Sequence, residues 1–66
     1  MIKLRDILKK FPSYQLISLT DEQGSQLPYG HRNKISDFNH LPTAYENAEV
    51  LNMRIVSEVL YIRIKM

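Results

Sequence analysis

Two runs of strictly alternating apolar and polar residues near the C-terminus dominate the hydropathy pattern of this chain. Leucine, methionine and isoleucine alternate with asparagine and arginine over residues 51–55, and leucine and isoleucine alternate with tyrosine, arginine and lysine over residues 60–65. Such alternation is typical of strands with one buried and one exposed face. Because the connection between the runs is short, the pattern predicts an antiparallel hairpin of strands Val50–Val56 and Val59–Lys65.

The register of this hairpin follows from its apolar residues. When Val56 is paired with Val59, every pair on one face is apolar: Ile55 with Leu60, Met53 with Ile62, and Leu51 with Ile64. A slip of one residue would move these sets to opposite faces, so the register is strongly specified. The intervening Ser57-Glu58 lacks the glycine or asparagine that two-residue turns favour, and a four-residue loop with the same pairing is the alternative.

The N-terminal residues carry a different period. From Ile2 to Phe11 the apolar positions 4, 7, 8 and 11 follow helical spacing, and Pro12 marks the end of the helix. The lysines at positions 9 and 10 suit the C-terminal end of a helix dipole. A helix of two to three turns is marginal alone, so we expect it to pack on the apolar face of the hairpin.

A further strand is predicted at Tyr14–Thr20, which is rich in β-forming residues and is followed by a turn at Asp21–Ser25. Its inward set is either Ile17 and Leu19 or Tyr14 and Leu16. The segment Gln26–Tyr29 is a candidate returning strand, and Pro28 would confine it to a sheet edge.

Between His31 and Asn47 apolar residues recur about every third position, but Pro42 forbids one continuous helix. A short helical turn from Pro42 to Asn47 is expected instead. The chain is therefore predicted to be a single α+β domain over residues 1–66, with a short N-terminal helix on a three- or four-stranded antiparallel sheet. The predicted core comprises Leu4, Ile7, Leu8, Phe11, Ile17, Leu19, Leu51, Met53, Ile55, Leu60, Ile62 and Ile64, with Phe38 and Leu41 covering one end.

Composition narrows the functional classes. A chain of 66 residues buries only about 60% of its unfolded surface, and the absence of cysteine removes disulfides and thiolate zinc sites as stabilising devices. Self-association is the device that remains. No apolar run reaches the roughly 18 residues of a membrane span, and the N-terminus lacks a secretory apolar region, so we expect a soluble cytoplasmic protein.

The hairpin register also defines a polar face. It places Arg54 opposite Tyr61, Asn52 opposite Arg63, and Val50 opposite Lys65. Arginine and lysine neutralise phosphates and an exposed aromatic ring stacks on unpaired bases, so this face is a candidate nucleic-acid surface. A solvated sheet face protected from aggregation by its charges is the simpler interpretation.

A second basic patch, His31-Arg32-Asn33-Lys34, would add Arg32 and Lys34 to that surface if it folds beside the hairpin. As a short polar loop it needs no function.

Catalysis is not expected. The only residues resembling metal ligands or acid–base groups are His31, Asp37 and His40, and their spacing matches no zinc pattern. Turn acidity and surface solvation explain the possible carboxylate pairs Asp21-Glu22 and Glu46/Glu49, and the sequence contains no phosphate-binding loop, dinucleotide motif or nucleophile elbow. We therefore predict no catalytic residue, no metal and no cofactor.

Four segments carry a resemblance: the opening KLRDILKKF, the strand and turn YQLISLTDEQG, the stretch from Leu41-Pro42 to Tyr45, and the closing AEVLNMRIVSEVLYIRI. Together they resemble the small uncharacterised proteins common in phages, prophages and mobile elements of Gram-positive bacteria. The resemblance implies a small accessory protein that binds a protein or a nucleic acid, and it transfers no site residues.

Two functional hypotheses follow. The first is a protein-interaction module that binds an unidentified protein or a second copy of itself, through a free strand edge or the polar sheet face. The second is a nucleic-acid-binding protein that uses Arg54, Tyr61, Arg63 and Lys65, helped by Arg32 and Lys34. No membrane partner is expected.

Overall fold

The computed structural model describes residues 1–28, 33–38 and 41–66, with the backbone alone at Phe38. The order of elements is α1 (Leu4–Leu8), β1 (Leu16–Thr20), β2 (Asn33–Lys34), a 3-10 helix (Ile35–Phe38), α2 (Thr43–Glu46), β3 (Glu49–Val56) and β4 (Val59–Lys65). The α+β class is confirmed: a short helix accompanies a four-stranded sheet that ends in a C-terminal hairpin.

The strand order in the sheet is β2-β1-β4-β3. β1 pairs antiparallel with β2 but parallel with β4, so the expectation of a purely antiparallel sheet is wrong and the sheet is mixed. The parallel pairing sets Ile17 beside Leu60 and Leu19 beside Ile62. Since all four side chains are buried, the two central strands together form the apolar floor of the core.

The predicted hairpin is confirmed. Val56 pairs with Val59, Ile55 with Leu60 and Met53 with Ile62. The connection is the two-residue turn rather than the four-residue loop, and both Ser57 and Glu58 have positive φ, at 50° and 70°. The two-residue hairpin turns whose twist matches that of the strands require positive φ at both central residues. Ser57 and Glu58 meet this requirement, although neither is the glycine or asparagine that such turns favour.

The register changes at the start of β3, where the pairing shifts between Val50 and Asn52. Val50 lies opposite Ile64 and Glu49 opposite Lys65, so the predicted pairs Leu51–Ile64 and Val50–Lys65 are wrong. A bulge at this point adds one unpaired residue to β3, where the adjacent apolar residues Val50 and Leu51 interrupt the alternation.

Helix α1 is shorter than predicted and ends at Leu8, so the lysines at 9 and 10 lie in the turn that follows it. Its start is delayed because the preceding residues pair with β3: the Val50 amide donates to the Ile2 carbonyl at 2.8 Å, and Lys3 forms a bridge with Glu49. The Leu4 amide then donates to the Ala48 carbonyl at 3.0 Å, which ties α1 to the beginning of β3.

The remaining elements are also shorter than expected. β1 begins at Leu16, and the exposed Tyr14 lies before it. Of the predicted strand Gln26–Tyr29, the described residues contain only a bridge between Gln26 and Thr20, while Tyr29 lies outside them. The helical turn after Pro42 is confirmed as α2.

One hydrophobic cluster joins the sheet to the helices. Most of the predicted core is confirmed: Leu4, Ile7, Ile17, Leu19, Leu60, Ile62 and Ile64 are buried. Leu8 and Phe11 are half-buried against it, and Leu41, which was expected to cover one end of the core, is one of its buried members. The side chain of Phe38 lies outside the described residues. The cluster also contains Tyr45, one of the apolar residues that recur about every third position after His31, and Leu27 and Ala48, which the periodicity did not indicate. Among the described residues, no helix is long and apolar enough to cross a membrane.

Candidate functional site

The polar face of the sheet carries an ordered platform of six side chains from three strands. In one row, Ser18 of β1 lies beside Tyr61 of β4, which lies opposite Arg54 of β3. In the next row, Thr20 lies beside Arg63, which lies opposite Asn52. Residues paired across strands project from the same face, so the platform presents hydroxyl, phenol, amide and guanidinium groups to one side.

The turn after β1 forms a wall along this platform. The Gln26 side chain donates from Nε2 to the Leu19 carbonyl at 2.8 Å, and its Oε1 accepts a hydrogen bond from the Ser18 hydroxyl at 3.0 Å. Gly24 adopts φ +86°, and a Cβ there would lie 3.6 Å from Nη2 of Arg63. The Arg63 guanidinium therefore lies close beside the turn backbone.

Platform and wall together enclose an open cleft of about 510 Å³, lined by Ser18, Thr20, Gly24, Gln26, Asn52, Arg54, Tyr61, Ile62 and Arg63. Within the described part of the chain, neither Arg54 nor Arg63 makes a hydrogen bond or an ion pair through its guanidinium. Both cations are thus available to an anion in the cleft, and the two residues occupy diagonal positions on neighbouring strands.

The structure divides the predicted binding residues into two groups. Arg54, Tyr61 and Arg63 line the cleft. Lys65 lies on the same face but opposite Glu49, outside the cleft lining. Lys34 is in β2 opposite Leu16, at the far side of that face and also outside the lining, and Arg32 lies outside the described residues. The expectation of a polar loop at 33–34 is therefore wrong, since these two residues are a strand.

Of the three residues predicted to resemble metal ligands or acid–base groups, the structure describes only Asp37. In residues 1–28, 33–38 and 41–66 no group of three or more histidine, aspartate or glutamate side chains is placed to hold a metal ion. Asp37 is exposed on the 3-10 helix, whereas His31 and His40 lie outside the described residues.

The opposite face of β3 is the second notable surface. Leu51, Met53 and Ile55 were expected in the core, but they are 44%, 41% and 60% exposed. Their partners on β4 are fully covered: Leu60 is 2% exposed and Ile62 is 0% exposed. The expectation is wrong for β3 because alternation identifies residues that share a face but not whether another element covers that face.

The lengths of the elements explain the uncovered strand. α1 has five residues and spans about 7.5 Å, whereas the eight residues of β3 extend about 27 Å. α1 is tied to the beginning of β3 through Leu4 and Ala48, so its cover does not extend along the strand. We call the exposed residues Leu51, Met53 and Ile55 the apolar stripe.

The outer edge of β3 is also open. Ile2 and Lys3 pair with its first two residues, and beyond Val50 the described residues place no strand beside that edge. The backbone donors and acceptors of residues 51–56 that point away from β4 are therefore available for pairing with another strand.

Asn52 and Ile62 of the hairpin line the cleft but were not predicted as site residues, and neither were four others: Ser18, Thr20, Gly24 and Gln26. These four come from β1 and its turn, and the position of β1 beside β4 was not indicated by the hairpin register.

Comparisons with protein-family models, with curated proteins and with solved structures found no match for this chain.

Proposed function

We propose that this chain is a small non-enzymatic protein-interaction module that acts through β3, and that the occupant of β3 is a second copy of the chain. The observation that carries the proposal is the apolar stripe on a strand whose outer edge is open. Apolar side chains beside unpaired backbone groups are the two components of strand addition, in which main-chain hydrogen bonds supply affinity and side chains supply specificity.

The open segment is self-complementary. In an antiparallel pair related by a two-fold axis at Met53, Met53 lies opposite its own copy and Leu51 lies opposite Ile55 of the second chain. All six side chains of the two stripes then gather on one face. Met53 is also the midpoint of residues 51–55, which lie between the segment covered by Ile2 and Lys3 and the end of the hairpin.

Charge favours the same register. With the axis at Met53, each Arg54 lies opposite Asn52 of the second chain, and the asparagine carbonyl accepts from the guanidinium. With the axis one residue later, Arg54 would face its own copy, and like charges directly opposite each other are destabilising. A second copy is thus favoured over an arbitrary partner by both its apolar and its charged residues.

The test is sedimentation equilibrium over a wide range of protein concentration. The expected result is a reversible dimer for the natural chain and a monomer for Met53→Lys, because that substitution places two ammonium groups face to face at the axis. Met66→Lys is the matched control, since Met66 is equally a surface methionine, 52% exposed, at the end of β4. The control should dimerise as the natural chain does.

A chain that stays monomeric at every concentration would refute the second copy as occupant. Equal loss of the dimer in Met53→Lys and Met66→Lys would refute β3 as the interface.

The second candidate function is nucleic-acid binding through the polar face. The specific observation in its favour is that Arg54, Tyr61 and Arg63 line one cleft. A mobility-shift titration with single- and double-stranded probes at low salt should give a complex that weakens steeply as salt rises. Arg54→Ala combined with Arg63→Ala should abolish it, and an unshifted probe at low salt would refute this function.

The proposal includes an accessory role for the protein and a cytoplasmic location. The resemblance to small phage and prophage proteins supports an accessory role, and the absence of cysteine agrees with the reducing cytoplasm. A stable small dimer also agrees with the limited core of a 66-residue chain, because association buries apolar surface that the monomer leaves exposed.

A further inference from the structure

We propose that the cleft on the polar face binds a nucleoside phosphate, with the phosphate between Arg54 and Arg63 and the base against Tyr61. This inference rests on the second candidate function and specifies its ligand. The same chemistry is found in a free nucleotide and in a nucleotide unit of a single strand, and the experiment below separates these two sources.

The two arginines would form the phosphate-binding part of the site. Arg54 lies opposite Tyr61 and Arg63 lies opposite Asn52, so the two arginines occupy one diagonal of a four-residue group, and Tyr61 and Asn52 occupy the other. Diagonal residues on one face lie about 7–8 Å apart, a distance that two long side chains can bridge to one group. Phosphate offers several acceptor oxygens at tetrahedral angles, and guanidinium groups bind it with paired charge-assisted hydrogen bonds.

The position of the Arg63 guanidinium indicates where in the cleft the phosphate would lie. Its Nη2 lies 3.6 Å from where a Cβ at Gly24 would be, which places this guanidinium against the wall of the cleft. Arg54 comes from the opposite side, on the edge strand β3. A phosphate that contacts both guanidinium groups therefore lies above β4, next to Tyr61.

Tyr61 would form the base-binding part of the site. It is 36% exposed, unlike the buried Val59 that precedes it on the same face of β4. An exposed aromatic ring beside two cations is the combination that binds a base by stacking while the phosphate is neutralised. Asn52 and Thr20 flank Arg63 in the adjacent row, with amide and hydroxyl groups that pair with polar groups of a sugar or base.

The dimensions agree with a ligand of this size. The cleft measures about 510 Å³, within the range of about 300–1,000 Å³ that small-molecule sites occupy. It is open along the sheet, so a single nucleotide fits without closure and a longer strand can leave at either end.

The experiment is a titration of the isotopically labelled chain, followed by amide NMR shifts, with adenosine 5′-monophosphate, adenosine, and an eight-nucleotide single strand of deoxythymidine. Adenosine 5′-monophosphate should shift the amides of Asn52, Arg54, Tyr61 and Arg63. Adenosine should bind at least about 10-fold more weakly, because it lacks the group that the arginines recognise.

Variants assign the effect to the cleft. Arg54→Gln and Arg63→Gln should each weaken the binding of adenosine 5′-monophosphate by about 10-fold. Arg5→Gln is the matched control, because Arg5 is an exposed arginine on α1, the helix that packs on the opposite face of the sheet. The control should change affinity by less than about twofold, as expected from long-range charge alone.

Outcomes of the three arms are distinct. Binding of the oligonucleotide about as tight as that of the mononucleotide supports a free nucleotide, and much tighter binding supports a single strand. Adenosine that binds as well as its monophosphate, or an equal loss in Arg5→Gln, overturns the inference. If the oligonucleotide binds and the mononucleotide does not, the inference fails while the nucleic-acid function stands. If neither binds, both fail.

Discussion

Met53 and Ile62 lie directly opposite each other in the hairpin, and they give a strong test of the asymmetric cover of the sheet. Ile62 is 0% exposed and Met53 is 41% exposed. Truncation of a fully buried isoleucine to alanine costs about 2–5 kcal/mol, since it removes apolar contacts and leaves a cavity. Truncation of Met53 leaves no cavity, and loss of its partly covered surface costs about 1 kcal/mol in the monomer.

These costs are large relative to the whole domain. At about 0.05–0.15 kcal/mol per residue, a 66-residue chain has a free energy of unfolding of about 3–10 kcal/mol. Ile62→Ala therefore removes between about a fifth and all of the stability, whereas Met53→Ala leaves a well-folded chain. The prediction separates two residues that the hydrophobic alternation treats as equivalent.

The assay is urea unfolding followed by circular dichroism, with protein diluted until the midpoint no longer depends on concentration. With an m-value of about 1 kcal/mol per M urea, the midpoint should fall by about 2 M or more for Ile62→Ala. It should fall by about 1 M or less for Met53→Ala. Equal shifts, or a larger shift for Met53→Ala at the lowest concentration, would refute the exposed placement of the apolar stripe.

Three further substitutions test local features by the same unfolding assay. Glu58→Gly should stabilise the chain by about 1 kcal/mol, because Glu58 has φ 70° and glycine adopts that conformation without steric cost; destabilisation would contradict the two-residue turn. Gly24→Ala should destabilise by about 1 kcal/mol, since φ there is +86°, and an unchanged midpoint would refute that turn geometry. Gln15→Ala should cost about 1 kcal/mol, because Nε2 donates to the carbonyls of Leu16 and Glu58 at 2.9 Å each; a conservative Gln15→Glu variant that is equally weak would support loss of the donor.

The hairpin was predictable from the sequence because each of its strands alternates strictly, and only one register matches apolar with apolar. Met53–Ile62 and Ile55–Leu60 are observed as predicted. The bulge near Leu51 coincides with a break in the alternation, the adjacent apolar residues Val50 and Leu51, but the pattern alone does not decide which of the two pairs with Ile64.

The burial of side chains was harder to predict from the sequence than the pairing of strands. Alternation places Met53 and Ile62 on one face, but their cover depends on the length and position of α1. The helix is short because Ile2 and Lys3 pair with β3 instead of joining it, and that contact is between residues more than forty positions apart. Long-range pairing of this kind leaves no periodic signal in a helical pattern.

Only part of the candidate site could be predicted from the sequence. Arg54, Tyr61 and Arg63 belong to the hairpin, so its register was sufficient to bring them together. Ser18 and Thr20 belong to β1, which lies parallel to β4, and neither the strand order nor the direction of that pairing is encoded in local alternation. The part of the site contributed by β1 therefore required the tertiary structure.

The proposed dimer depends on the pairing of β3 with a second copy about Met53, and a chain without cysteine allows a direct measurement of that register. Directly opposite residues in antiparallel strands have Cα atoms about 4.5–5.5 Å apart, within the 4.4–6.8 Å range of a disulfide. Residues offset by two positions lie about 8 Å apart and do not form one.

Oxidative cross-linking of single-cysteine variants, read on a non-reducing gel, is the measurement. We expect Met53→Cys to give a covalent dimer rapidly, and Arg54→Cys and Met66→Cys to remain monomeric chains under the same conditions. Cross-linking of Met53→Cys no faster than that of Met66→Cys, or fastest in Arg54→Cys, would contradict the proposed interface.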